Sequence, residues 1–426
     1  MQRNFTALVI LIAATLLCTA SSSFALENWT RFHGDNGSGL ALAAKLPTQW
    51  EAEDYAWQVD LPGIGSSEPI VWGDRIFLTS SDPETAHLTI LCISTNDGSK
   101  LWEKEFESNK YHLHRNNNFA SSTLAADKDN IYAAYANDEN TWLLALDHDG
   151  DEKWKRNFGT YVSSHGFGSS PIVVGDKVIL MISQQTEKLK AGQQPGTSNL
   201  IAVNSSDGSE AWTTPFEDRR VCYGVPCLFE TTDGKKSLIC TNTVHGYFGV
   251  DIESGKINWT TPQSFDKRVV ASSVIAGGLV LNTAGSGGGG NYLVAIRPDA
   301  DSSTSAPQEA YRVKATSYVP SPIVVGDLLF MFNDKGIVMC HDLATGEEHY
   351  RKRIGKGFSG SPVANASHVY CMSDNGDVHV LAVSKEFQHH VATSLGQSSR
   401  STPTIVGNRI YFRTESKLFA LDGDSK

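Results

Sequence analysis

Ser170-Pro171-Ile172-Val173-Val174-Gly175-Asp176-Lys177-Val178-Ile179-Leu180 is the stretch that decides the fold. A small residue and a proline open it, a short apolar run follows, Gly-Asp turns the chain, and a second apolar run returns. Gly and Asp tolerate the backbone angles of a tight hairpin, so the stretch predicts two antiparallel strands. The same pattern reads Ser67-Glu68-Pro69-Ile70-Val71-Trp72-Gly73-Asp74-Arg75-Ile76-Phe77-Leu78 and Ser321-Pro322-Ile323-Val324-Val325-Gly326-Asp327-Leu328-Leu329-Phe330. Weaker copies begin at Ser122, Val225, Ser272, Ser361 and Thr402, which makes eight. From Pro69 to Pro403 they recur about every 48 residues, the period of a propeller blade.

Each copy has a second half, in which apolar residues lead into Asp or Asn, a Gly turn and then an aromatic. Asn96-Asp97-Gly98-Ser99-Lys100-Leu101-Trp102 and Ser206-Asp207-Gly208-Ser209-Glu210-Ala211-Trp212 are examples. This is a second hairpin, whose aromatic enters a fourth strand and packs between neighbouring sheets. Trp57, Trp102, Trp154, Trp212 and Trp259 are assigned this structural docking role. The eighth copy stops at Ala420-Leu421-Asp422-Gly423 without its fourth strand, while an orphan strand, Tyr55-Ala56-Trp57-Gln58-Val59-Asp60-Leu61, stands near the other terminus. Pairing the two closes the circle and removes exposed sheet edges. The expectation is an all-β, eight-bladed propeller of four-stranded antiparallel blades closed by an N-terminal strand. Its parts are a signal peptide at 1–25, an N-terminal extension at 26–54 and one propeller at 55–426.

The turn-plus-tryptophan element resembles the tryptophan-docking repeat of pyrroloquinoline-quinone (PQQ) dehydrogenases and, more distantly, the propeller lipoprotein of the outer-membrane barrel-assembly machinery. The stretches Asn118-Phe119-Ala120-Ser121-Ser122-Thr123, His165-Gly166-Phe167-Gly168-Ser169-Ser170-Pro171 and Tyr318-Val319-Pro320-Ser321-Pro322 look like an uncharacterised exported branch of that group. The resemblance spans roughly residues 55–424 and implies the fold, but the repeat stabilises catalytic and non-catalytic members alike. The dehydrogenases often carry a vicinal cysteine pair over the quinone, and no Cys-Cys occurs here. Their acidic and amide calcium ligands and catalytic Asp find no residue-by-residue match.

Charge narrows the partners. The formal net charge is −11, and losing residues 1–25 removes Arg3 and no acid, giving −12. Phosphate backbones repel such a chain, so nucleic acid is not expected as a partner. Arg3, the apolar run from Ala7 to Ala20 and Ser23-Phe24-Ala25 read as a secretory signal, so the protein is expected to be exported, to a periplasm or outside the cell. No segment is long and apolar enough for a membrane span. Leu17 before Cys18 is a poor lipid-attachment context. Six cysteines follow the signal with no Cys-x-x-Cys spacing, which reads as buried hydrophobes, although Cys222 and Cys227 are close enough in sequence to pair. Asn-x-Ser/Thr sites occur at Asn28, Asn36, Asn204, Asn258 and Asn365.

The segments leading into the innermost strands should gather at one channel mouth, the default ligand site of a propeller. They are rich in cations and rings: His112, His114, Arg115 and Asn118 before the second copy, His165 before the third, Arg219, Arg220 and Tyr223 before the fourth. Lys267 and Arg268 precede the fifth, Tyr318 the sixth, Lys356 the seventh and Arg400 the eighth. In an acidic protein they would form a positive funnel for a carboxylate, phosphate or anionic glycan. The competing reading is a solvated rim whose charges satisfy loop carbonyls. A metal site of His112, His114 and His165 is a minor alternative, with the first two alternating on a strand, and no metal is assigned. Gly285–Asn291 reads as a hairpin tip, Gln184–Thr197 as an exposed polar insertion, and His33-Gly34-Asp35-Asn36-Gly37 as a turn cluster ahead of the ring. No Gly-x-Ser-x-Gly or His-Glu-x-x-His motif supports a hydrolase. The expected function is a non-catalytic, monomeric binding or scaffold propeller engaging a protein, peptide or glycan without a cofactor. The alternative is a quinoprotein-like oxidoreductase using PQQ with calcium.

Overall fold

The computed structural model describes residues 28–423. The secretory signal expected at 1–25 lies outside them. Eight four-stranded sheets follow one another, and in seven the strands run in sequence order from the channel outward. Blade 1, for example, comprises Ile70–Trp72, Arg75–Ser81, Leu88–Ser94 and Lys100–Phe106. The eighth combines Thr404–Val406, Arg409–Arg413 and Lys417–Asp422 with Tyr55–Asp60 as its outer strand. The ring therefore closes with the N-terminal strand, as the orphan aromatic strand implied. Among the described residues, helix is confined to the short turns Asp35–Gly37 and Ala52–Asp54.

The repeated residues do local work. Two-residue Gly-Asp or Gly-Asn turns join the first two strands at Gly73, Gly175, Gly326 and Gly407, whose φ values lie near +60°. A side chain there would meet strain that glycine avoids. In the outer hairpin, each docking indole sits on the next blade's turn. Trp57 donates to the Thr95 carbonyl at 3.0 Å, Trp102 to His148 at 2.9 Å, Trp154 to Ser205 at 2.9 Å and Trp212 to Ile252 at 2.8 Å. A Cβ added at Gly98 or Gly208 would stand 2.7 or 2.6 Å from the indole above it, so glycine permits the approach. Trp259 is buried in the equivalent seam, but its N–H finds no acceptor among the described residues. Blade 5 lacks the short Gly-ended turn that would offer one and carries a longer connection between Arg297 and Gln308. Tyr311 takes up the role one blade on, donating to the Leu343 carbonyl at 2.6 Å.

A belt of hydroxyls ties the blades near the channel. The backbone N–H of Glu68 donates to Thr123 Oγ1, Thr123 to Ser170 Oγ, Val225 to Ser272, Ser272 to Ser321, Ser321 to Ser361 and Ser361 to Thr402, all at 2.9–3.0 Å. The belt breaks where Val225 offers no hydroxyl and where Glu68 replaces one. Ser321→Ala leaves the buried Ser272 N–H without an acceptor, and should cost about 1–3 kcal/mol. A urea midpoint unchanged from the parent would show that the belt contributes nothing.

Residues 28–44 do not lie ahead of the ring but cross its channel. Trp29 and Val71 exchange backbone hydrogen bonds at 2.9 Å, Ala126 donates to the Thr30 carbonyl at 2.8 Å, and Arg31 Nη2 donates to Pro226 at 2.7 Å. Asn36 and Leu228 bond reciprocally, His33 Nε2 meets the Pro362 carbonyl at 2.7 Å, and Ala41 donates to Ala364 at 2.9 Å. The strap thus touches the inner strands of blades 1, 2, 4 and 7. Glu68, the odd residue of the belt, receives it: its carboxylate accepts Trp29 Nε1 at 2.5 Å and the His33 N–H at 2.7 Å. Burial pushes the Glu68 carboxyl well above its ordinary range and lowers the nearby Arg31 to about 10. Two sequon asparagines are consumed here, since Asn36 holds Leu228 and Asn365 donates to the Ala44 carbonyl.

Candidate functional site: the blind mouth of the channel

With the strap across the channel, one mouth remains as a cup of about 730 Å³, with Phe32 of the strap among its lining residues. His114, Arg115, His165, Tyr223, Arg268, Tyr318 and Arg400 line it, together with Arg220. Five residues expected at the mouth do not: Lys267, Arg219, which faces Glu187 at 3.8 Å, and three more. His112 and Lys356 are exposed beside it, and Asn118 is spent on the loop, its Nδ2 donating to Ser66 Oγ at 2.6 Å.

Arg268 is the organising side chain. It is 7% exposed, and its Nε donates to the Val221 carbonyl at 3.0 Å. Its Nη1 reaches His165 Nε2 at 2.9 Å and the Tyr318 hydroxyl at 3.2 Å, and the guanidinium lies over the Tyr223 ring at 5.7 Å. Because His165 Nε2 faces an obligate donor, it must accept, so Nδ1 carries the proton toward Ser164 Oγ at 2.9 Å. Desolvation, then Arg268 and His114, lower His165 to about 3. It is a neutral acceptor that orients the arginine. No hydrogen bond ties Arg268 Nη2 among the described residues.

The loops explain how these groups meet. His112 and His114 lie in a connection without strand structure, so the expected strand alternation does not form. Asn117 Nδ2 fastens that loop to the His165 and Phe167 carbonyls, and the His114 and His165 rings stack at 5.2 Å. The insertion expected to be exposed is buried at its root: Gln184 Oε1 accepts from Val162 N–H at 2.7 Å and Gln185 Oε1 from Ser164 N–H at 2.8 Å. It holds the His165 loop in place. Lys267 turns away from the cup and pins the glycine-rich tip through the Gly289 and Gly290 carbonyls.

Two carboxylates in the lining were not among the residues singled out in the sequence. Asp334 and Asp374 occupy equivalent turns of blades 6 and 7, and each has a buried Oδ1 without a hydrogen-bond partner. The cup therefore carries both signs of charge, with Arg115, Arg220, Arg268 and Arg400 as its cations and Asp334 and Asp374 on blades 6 and 7 as its carboxylates.

The residues do not fit a quinone held with a divalent cation. No tryptophan lines the cup, and the described residues gather no group of three or more His, Cys, Asp or Glu able to hold a metal ion. His165 Nε2 is already committed to a guanidinium, which disfavours ligation there. All six described cysteines are buried free thiols, Cys222 and Cys227 included, and burial pushes Cys227 to about 12.

Histidine burial gives the fold an acid limit. His165 falls to about 3, and His341 and His379 to about 4, chiefly by desolvation. Since the folded values lie below the unfolded one near 6.5, the unfolded chain binds more protons between about pH 6.5 and 4. Their stabilising share is full above that window and drains as pH falls, by up to about 1.4 kcal/mol per pH unit for each. Glu68 and Asp218, raised by burial, work in the opposite direction, losing their share as pH rises. Denaturant midpoints should fall from pH 7 to pH 4.5, and fall less in His379→Phe. An equal fall in both would show that His379 does not contribute.

Fold and cup together define an eight-bladed propeller of the PQQ-like repeat class. A family model described as outer membrane protein assembly factor BamB matches residues 48–187, 89–349 and 316–425, so the chain belongs to that family. Among solved structures, BamB from Moraxella catarrhalis is similar at 14% identity and TM-score 0.61, covering 87% of this chain and 97% of that one. The quinohemoprotein alcohol dehydrogenase of Comamonas testosteroni is similar at 12% identity and TM-score 0.53, covering 94% and 81%. The computationally designed Ika8 protein is similar at 9% identity and TM-score 0.58, covering 87% and 99%. At these identities the likeness is one of fold. No curated protein matches in sequence. Among the described residues, no helix is long and apolar enough to cross a membrane.

Proposed function

We propose that this protein is an exported, non-catalytic binding propeller whose blind cup captures an anionic group on a protein, peptide or glycan partner. The observation that carries the reading is Arg268, a nine-tenths-buried guanidinium held by a carbonyl, a neutral imidazole and a phenol, with no carboxylate as its partner. Buried charges are normally paired, and a preorganised guanidinium suits a carboxylate or phosphate. Arg115 and Arg220 extend the positive field around it. The family description, an assembly factor, supports a protein partner. The oxidoreductase reading has the repeat as its support and no matching donor set.

Calorimetric titration of the chain with citrate tests the reading. Saturable binding near one equivalent, weakening as salt rises, is expected. Absence of heat up to high millimolar citrate would overturn it.

A further inference from the structure

The cup carries both signs of charge, and this narrows what it can hold. We infer that its ligand is a peptide chain end, with the terminal carboxylate on Arg268 and an upstream Lys or Arg side chain between Asp334 and Asp374. The inference rests on the anion-binding reading above and deepens it.

Three observations lead there. The first is that the cup is blind. The strap crosses the channel behind it and contributes Phe32 to the lining, so an extended chain cannot thread through, and a terminus or tight turn must enter. The second is the placing of the acids. Asp334 of Asn333-Asp334-Lys335-Gly336 and Asp374 of Ser373-Asp374-Asn375-Gly376 stand at matching turns of adjacent blades. Between them runs Gly357, where a Cβ would come within 2.9 Å of the Asp334 carbonyl oxygen and 3.3 Å of Asp374 Oδ2. The third is their lack of partners. The matching turn of blade 8 carries Glu415, which has Arg400 at 3.8 Å. Asp334 and Asp374 have no Lys, Arg or His within ion-pair distance among the described residues, and the Oδ1 of each is buried and unbonded. A buried carboxylate oxygen left without a donor is costly, and a ligand cation removes that cost.

Arg268, beside them in the same cup, asks for an anion. A purely anionic glycan satisfies Arg268 and is repelled by Asp334 and Asp374. A peptide end supplies both charges at a separation set by its sequence, and its amides suit a cup lined by hydroxyl and amide side chains.

The test uses three probes labelled at the N-terminus: Gly-Lys-Gly-Ala-Ala with a free carboxylate, the same peptide amidated, and the free acid with Gln for Lys. Their affinities for the full chain are read by fluorescence anisotropy beside the citrate titration. Amidation and loss of the lysine should each weaken binding about tenfold or more. In Asp334→Asn/Asp374→Asn the lysine preference should vanish while the carboxylate requirement stays. Arg268→Gln should do the reverse. Equal binding of the Lys and Gln peptides, or tighter binding of polygalacturonate than of any peptide, overturns the inference and leaves the anion cup intact. Citrate binding without peptide binding does the same. Failure of citrate and peptides together brings down both.

Discussion

Trp29→Ala should lower the stability of the folded chain by about 3–5 kcal/mol, the usual cost of truncating a buried large aromatic. The indole is 3% exposed inside the channel, and its N–H satisfies Glu68 at 2.5 Å. Truncation opens a cavity and leaves a buried carboxylate with the His33 N–H as its remaining hydrogen-bond donor. Trp29→Phe separates the two effects, because it keeps most of the packing and loses the N–H, so about 1–3 kcal/mol should remain. A ring of eight blades need not unfold in one step, so the midpoint of the most labile transition is the quantity to follow. The strap bonds to blades 1, 2, 4 and 7, and its loss should also raise proteolysis between residues 28 and 50. Parent-like midpoints in both variants would mean that the strap does not hold the channel.

Arg268→Gln should weaken citrate binding by about 30-fold or more, the range for removing one partner of a desolvated charge pair. Arg268→Lys should not restore it. Lysine is a point charge on a flexible stem and cannot address Val221, His165, Tyr318 and a ligand at once, as a planar fork does. Arg115→Gln, at the exposed rim, should cost far less and mainly reduce the salt dependence. Equal losses at Arg268 and Arg115 would point to a diffuse field rather than a built site.

The ring was legible because its signals are local and repeated. Gly175-Asp176, Gly326-Asp327, Asp207-Gly208 before Trp212 and Asp342-Leu343-Ala344-Thr345-Gly346 before Tyr350 each specify a hairpin with nearby residues. The missing fourth strand of the last copy and the spare strand at Tyr55–Asp60 pointed to closure. The lead-in residues His114, His165, Tyr223, Arg268, Tyr318 and Arg400 reach the cup because every innermost strand starts at the same mouth. Position in the repeat does not say which way a loop side chain turns, so His112, Asn118, Arg219, Lys267 and Lys356 stand outside. The strap left no comparable trace. Its contacts are single polar pairs at long separation, such as His33 with Pro362, and no period marks them. Glu68 did leave one, as an acid where the other copies have Ser, Thr or Val. Asp334 and Asp374 were hidden by their own turns, where Asp is ordinary for local reasons. Trp259 fits the aromatic pattern, but the docking partner belongs to the next blade, whose turn is replaced.

The most direct measurement is anomalous diffraction from crystals soaked in selenate, comparing the parent chain with Arg268→Gln. The expected result is an anion peak inside the cup, within hydrogen-bonding distance of Arg268 and absent from the variant. Selenate on outer lysines and arginines alone, or an equal cup peak in both crystals, would contradict the assignment of Arg268 as the anion-binding centre.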